Sequence, residues 1–208
     1  MTHQTTPPEF QRQLRSLFAT LRTLIRSTLE GRDSTEDYAA HLEGRIGALA
    51  RAHEMVMRAP PEGTDLQELV CGELLSQAVP QQQFMVEGPE IRINRESAAP
   101  LALAFHELTM NAITHGAFVN GTGKTDVTWR CVQKDAAEWL QLDWDEHELT
   151  LHEDETPYKG FGCELIERML PYELGAMTTF RLTRDGARVQ FLIPAATTNP
   201  VWRPAKSE

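Results

Sequence analysis

The sequence predicts a chain of the α+β class: an N-terminal helical hairpin followed by a two-layer α/β sandwich. Three observations carry this. Two long segments before Pro60 place apolar residues in steps of three and four. After Thr64, helical segments are interleaved with short alternating ones that read as mostly antiparallel strands. One helix, Ser97 to His115, carries polar residues on a face of its own and runs into a glycine-rich loop, Asn120-Gly121-Thr122-Gly123.

Residues Met1 to Pro8 read as a disordered tail (1–8). From Glu9 to about Leu29 the apolar positions are Phe10, Leu14, Leu17, Phe18, Leu21, Leu24, Ile25 and Leu29. That spacing makes an amphipathic helix with a coiled-coil-like seam. Gly31-Arg32-Asp33 breaks it, and Ser34 with Asp37 supplies a cap for a second helix. Tyr38, Leu42, Ile46, Leu49, His53 and Val56 or Met57 lie along one side of that helix, which Ala59-Pro60-Pro61-Glu62-Gly63 ends. A lone hairpin (9–60) buries too little. Its apolar face is expected to meet a second copy, giving a homodimeric four-helix bundle through residues 9–58.

The second domain is expected over 64–195. Asp65 to Val79 reads as a helix. Phe84-Met85-Val86 and Ile91-Arg92-Ile93 read as short strands around a Gly88-Pro89 turn. Asp126 to Val132 and Glu138 to Trp144 alternate as strands, with Leu140, Leu142 and Trp144 on one face. Glu146 to Tyr158 is polar and irregular. Glu164 to Leu170 is a short helix ended by Pro171, and Thr178 to Leu182 pairs with Arg188 to Ile193 through Arg184-Asp185-Gly186. The segment 196–208 reads as a loose tail. No internal repeat is evident.

The formal charge of −10 over 208 residues argues against a nucleic-acid partner, which demands basic patches. It leaves room for a local phosphate pocket. No run of about eighteen apolar residues is present, and the N-terminus has no apolar signal region, so neither a membrane partner nor export is expected. Cys71, Cys131 and Cys163 are far apart and odd in number, which fits reduced thiols in a cytoplasmic protein.

On the helix ending at His115, Leu101, Phe105, Leu108 and Ala112 form one stripe, while Glu107, Asn111 and Thr114 fall together on another face. Further on stand Trp144-Asp145-Glu146 and Gly160-Phe161-Gly162, the latter opening a helix, where backbone N–H groups suit a phosphate. Taken together and in this order, these motifs resemble the N-box, the Trp-x-Glu and the G2 box of the HWE subgroup of bacterial sensor histidine kinases, whose ATP-binding domain has the GHKL (Bergerat) fold. The histidine of the subgroup's name is His106. The resemblance runs from about Phe10 to Pro194.

It implies a Bergerat-type ATPase domain behind a dimerisation and phosphoacceptor hairpin, with ATP and Mg²⁺ as cofactors. Asn111 matches the asparagine whose side-chain oxygen holds the Mg²⁺ bridging ATP phosphates. Glu107 matches the glutamate placed to take a proton from the attacking nucleophile, the candidate general base. His115 and Gly116 match the His-Gly that ends the N-box, and His115 also reads as a helix cap. Glu146 matches the acceptor of the adenine amino group. Gly160, Phe161 and Gly162 match the phosphate loop. His106 lies about 140° around the helix from Asn111, so it is expected to pack or to orient a neighbour rather than to share the metal.

The sequence also departs from the family. Thr114 replaces the usual Lys before His115. His147-Glu148-Leu149 stands where a Gly-Gly-Pro-like run is usual, and Glu153, Asp154 and Glu155 make the following segment acidic, as a lid or as a solvated loop. Aligning Leu17-Phe18-Ala19-Thr20 to the family pattern puts Arg12 at the phosphoacceptor histidine and Ser16 at the neighbouring asparagine. A guanidinium stays protonated and is no nucleophile, so ordinary autophosphorylation there is not expected. His41 and His53 on the second helix are alternative acceptors or structural histidines.

Three functions therefore compete within two-component signalling. The first is a pseudo-kinase or regulator that binds a response regulator or a partner sensor kinase through the bundle. The second is an Mg-ATP-dependent kinase using another acceptor. The third is a response-regulator phosphatase, with Gln11 and Gln13 flanking the relevant place. With about eight residues before the first helix, the input is expected to come from another protein.

Overall fold

The computed structural model describes residues 35–147, 161–183, 186–198 and 201–202. The expected first helix, Arg12 and Gly160 lie outside the described residues. The chain divides into two compact units, Met1–Gly47 and Ala48–Glu208. Helix α1 (Thr35–Arg58) runs from the first into the second.

Within the second unit, five strands form one sheet: β2 (Phe84–Glu87), β4 (Lys124–Lys134), β5 (Ala137–His147), β6 (Met177–Thr183) and β7 (Gly186–Pro194), in the order β2-β4-β5-β7-β6. Only the β2–β4 pairing is parallel. Alternation along the strands sorts the two faces. Val127, Trp129, Leu140, Leu142, Trp144, Val189, Phe191 and Ile193 are buried. Asp143, between them in sequence, accepts from Gln141 and Gln190 at 2.7 Å each. A sheet with one apolar face needs one covering layer. Helices α2 (Leu66–Ser76), α3 (Arg95–His115) and α4 (Phe161–Leu174) supply it, so the mixed α+β expectation holds for this unit.

Four local expectations change. The segments flanking Gly88-Pro89 are strands but do not pair with each other. β2 joins the main sheet, whereas β3 (Ile91–Ile93) lies between β1 (Thr64–Asp65) and β8 (Val201–Trp202) in a small antiparallel sheet. The Trp129 ring packs against Gly88 and its indole N–H donates to the Pro89 carbonyl at 2.9 Å, fixing the link between the two sheets. β4 and β5 are longer than the alternation suggests, and Glu146 and His147 belong to β5 rather than to an irregular segment.

Pro171 does not end α4. It is exposed and gives up one backbone hydrogen bond, while burial of Leu170 and Leu174 carries the helix on to Gly175, whose φ of +63° turns the chain. After Pro194, residues 195–198 and 201–202 form regular elements where a loose segment was expected. Helix α5 (Ala195–Thr198) caps the start of α3: Asn94 Nδ2 donates to the Thr197 carbonyl at 2.6 Å, and Asn94 N–H to that of Thr198 at 2.9 Å. The Asn94 side chain also accepts from Ser97 N–H at 2.9 Å, an ordinary N-cap.

Candidate nucleotide site

The site is built on α3. Its apolar stripe (Leu101, Phe105, Leu108, Ala112) is buried, and this fixes the helix's rotation about its axis. One turn apart, Glu107 and Asn111 then face the start of α4. Glu107 is itself buried, 4% exposed. Its Oε2 lies so close to Gly162 that a Cβ there would sit 2.5 Å away, with Asn111 Nδ2 at 3.4 Å. Asn111 Nδ2 donates to Cys163 Sγ at 3.4 Å. Glu107, Asn111, Gly162 and Cys163 thus form one cluster at the N-terminal end of α4. Phe161 is the first residue of that helix.

At the C-terminus of α3 the expected glycine stop is present, but for another reason. Gly116 adopts φ −124°, outside the left-handed region. A side chain there would collide with the Glu146 carboxylate. Glu146 is 5% exposed and engaged at both oxygens: Oε2 accepts Ala117 N–H at 3.0 Å, and Oε1 accepts the Trp144 indole N–H at 3.0 Å. Burial pushes its carboxyl above the ordinary value, and these two bonds offset only part of that. The Trp-x-Glu motif therefore clamps the end of the N-box helix to β5. His115, next to Gly116, is exposed, and Thr114 Oγ1 turns back to the Met110 carbonyl at 2.8 Å.

His106 does not reach this cluster, as its angular position on the helix predicts. It is 2% exposed and its Nδ1 lies 2.7 Å from Glu73 Oε1 on α2. Sequence reasoning passed over Glu73, although Leu66, Leu69, Val70, Glu73 and Leu74 follow helical core spacing. It also missed that Glu146 continues the buried alternation Leu140, Leu142, Trp144 by one more step.

Among the described residues, no group of three His, Cys, Asp or Glu side chains is arranged to hold a metal ion by itself. A magnesium ion carried by phosphate oxygens and water needs less, and with Nδ2 turned to Cys163 the Asn111 amide has its hard oxygen, Oδ1, to offer.

A protein-family model described as HWE histidine kinase matches residues 9–90. Blue-light-activated histidine kinase 1 of Erythrobacter litoralis is 29% identical over 201 residues, 94% of this chain and 53% of that protein. Over these residues the chain is similar to the HWE histidine kinases. A blue-light-activated histidine kinase of Rhizobium johnstonii is 27% identical over 192 residues, covering 90% of this chain and 52% of its own length. The chain thus spans about half the length of these curated relatives.

In fold it is similar to the histidine kinase domain of a blue-light activated kinase from Erythrobacter litoralis, with a TM-score of 0.58 at 15% identity, 86% of this chain and 95% of that one being covered. The larger structure of that kinase gives 0.62 at 13% identity, over 93% and 62%. None of the helices among the described residues is long and apolar enough to cross a membrane.

Proposed function

We propose that this chain is the nucleotide-binding core of a two-component signalling protein that has lost its own phosphoacceptor. In this reading it binds Mg-ATP, dimerises through residues 9–58, and acts on a response regulator or a partner kinase rather than on its own first helix. The observation that carries the nucleotide reading is the meeting of Glu107 and Asn111 with Gly162 at the start of α4, where a Cβ would fill the space against the carboxylate. Asn111 would offer its amide oxygen to the magnesium ion. Gly160, Phe161 and Gly162 would bring backbone to the phosphates. Glu107 would hold the proton of an attacking nucleophile, with His115 and Gly116 lining the edge of the site. The magnesium ion would neutralise phosphate charge. The loss of autophosphorylation rests on Arg12 in the position that aligns with the acceptor histidine.

A second reading has its own support. Both oxygens of Glu146, the expected adenine acceptor, already accept internal hydrogen bonds, and His147-Glu148-Leu149 replaces the usual glycines. Both features favour a scaffold that docks partners without nucleotide. Exposed His53 on α1 keeps open a third reading, a kinase with another acceptor. Incubation with γ-labelled ATP separates these. The proposal expects bound nucleotide and no acid-labile label on the chain; label on His53 would replace it with the third reading.

A further inference from the structure

Side chains from α1, α2 and α3, all within the second unit, meet at Glu73. It lies on the core face of α2 among Leu66, Leu69, Val70 and Leu74, and is 3% exposed. A carboxylate there is tolerable only if paired. Arg51 Nη2, from α1, donates to Oε1 at 2.9 Å and to Oε2 at 2.7 Å. His106, from α3, lies 2.7 Å from Oε1, and since an ionised carboxylate only accepts, its Nδ1 carries the proton. Gln77 Nε2 adds a bond of 3.3 Å to Oε1. Burial alone would raise the Glu73 carboxyl, but the bonds and charges of His106 and Arg51 outweigh it and hold it below its ordinary value.

The chain Arg51–Glu73–His106 therefore joins α1 to the residue immediately before Glu107. From His106 to Asn111 the helix is continuous, and its buried face leaves it little freedom to deform. The α1 side is less constrained. A cavity of about 170 Å³ adjoins the chain, lined by Ala48, Arg51, Met55, Leu69, Gly72 and Glu73 among others. A displacement of α1 at Arg51 thus has room to occur, and it pulls on α3 through two short, charge-assisted contacts.

We propose that Arg51, Glu73 and His106 are positioning residues that transmit the placement of α1 to Glu107 and Asn111, and so set the affinity of the site for nucleotide. The proposal rests on the nucleotide reading for its consequence, but the coupling itself is measurable without ligand. By linkage it is reciprocal: what α1 does to the site, a ligand at the site does to α1.

The test is backbone amide exchange on the full chain for the wild type, Arg51→Met, Arg51→Lys and Val70→Ala. Val70→Ala is a reference for general destabilisation, at a buried α2 position. Arg51→Met keeps the aliphatic stem and removes the contact to Glu73. The expected result is about tenfold faster exchange across residues 106–112 in Arg51→Met, beyond that in Val70→Ala, with Arg51→Lys close to wild type. In the same samples Mg-ATP binds several-fold more weakly to Arg51→Met than to Val70→Ala. Exchange over 106–112 that matches wild type in Arg51→Met, or that Val70→Ala reproduces in full, overturns the proposal. Absence of nucleotide binding by the wild type would instead remove the reading of the site, with the exchange comparison still deciding the coupling.

Discussion

Trp144 and Glu146 stand two residues apart on one strand, and the indole N–H of the first donates to the carboxylate of the second at 3.0 Å inside the core. The other carboxylate oxygen accepts the backbone N–H of Ala117, just past the end of α3. The motif is thus a clamp between strand and helix terminus. Truncation at Glu146→Ala leaves two buried donors unpaired and is expected to cost about 1–3 kcal/mol in urea unfolding, with Glu146→Gln milder because it keeps an acceptor oxygen. An Ala variant as stable as wild type would show that the clamp contributes nothing.

Gly162 brings the backbone at the start of α4 against the Glu107–Asn111 pair. Adding one methyl group in Gly162→Ala presses on the Glu107 carboxylate and the Asn111 amide. Mg-ATP affinity should fall about tenfold or more, while the melting temperature shifts by only a few degrees. Unaltered affinity would mean that nucleotide does not contact this cluster.

Two buried glutamates make opposite contributions with pH. The Glu73 carboxyl is held below its ordinary value of 4.5, so its stabilisation is complete above that pH and is lost as pH falls through the lowered folded value. The urea midpoint of wild type should exceed that of Glu73→Gln at neutral pH, and the difference should shrink as the pH drops below 4.5. Glu146 is raised instead. Wild type should lose ground to Glu146→Gln as pH climbs from 4.5 toward the raised value. A pH-independent gap in either pair contradicts the electrostatic assignment.

Much of this fold was legible because its periodicities are clean. α1, α2, α3 and the long β4–β5 pair all stand out in the apolar spacing. What escaped was set at a distance. The separation of β2 from β3 depends on Trp129 reaching Gly88 and Pro89. The run of α4 through Pro171 depends on burial of Leu170 and Leu174, which outweighs a local breaker. In the site, Glu107, Asn111 and Gly162 were readable as a set from the resemblance, and the structure brings them together. Cys163 beside Asn111 was not, since nothing in the spacing joins residues 52 positions apart. His106 packs away from Asn111 against Glu73, a partner that hid among apolar neighbours.

A residue other than histidine at the acceptor position predicts a gain of function on restoring the histidine. Arg12→His with Ser16→Asn restores the family pattern at the aligned positions. The double variant should acquire acid-labile label from γ-labelled ATP, and the wild type should not. A labelled wild type would show that another residue accepts the phosphoryl group. An unlabelled variant that still binds ATP would show that Arg12 does not occupy the acceptor position.

The most direct measurement is calorimetric titration of the full chain with ATP and ADP, with and without Mg²⁺, alongside Asn111→Ala. The proposed function predicts saturable, magnesium-dependent binding by the wild type and at least about tenfold weaker binding by the variant. No heat of binding at millimolar nucleotide, or equal affinity in the two proteins, would contradict it.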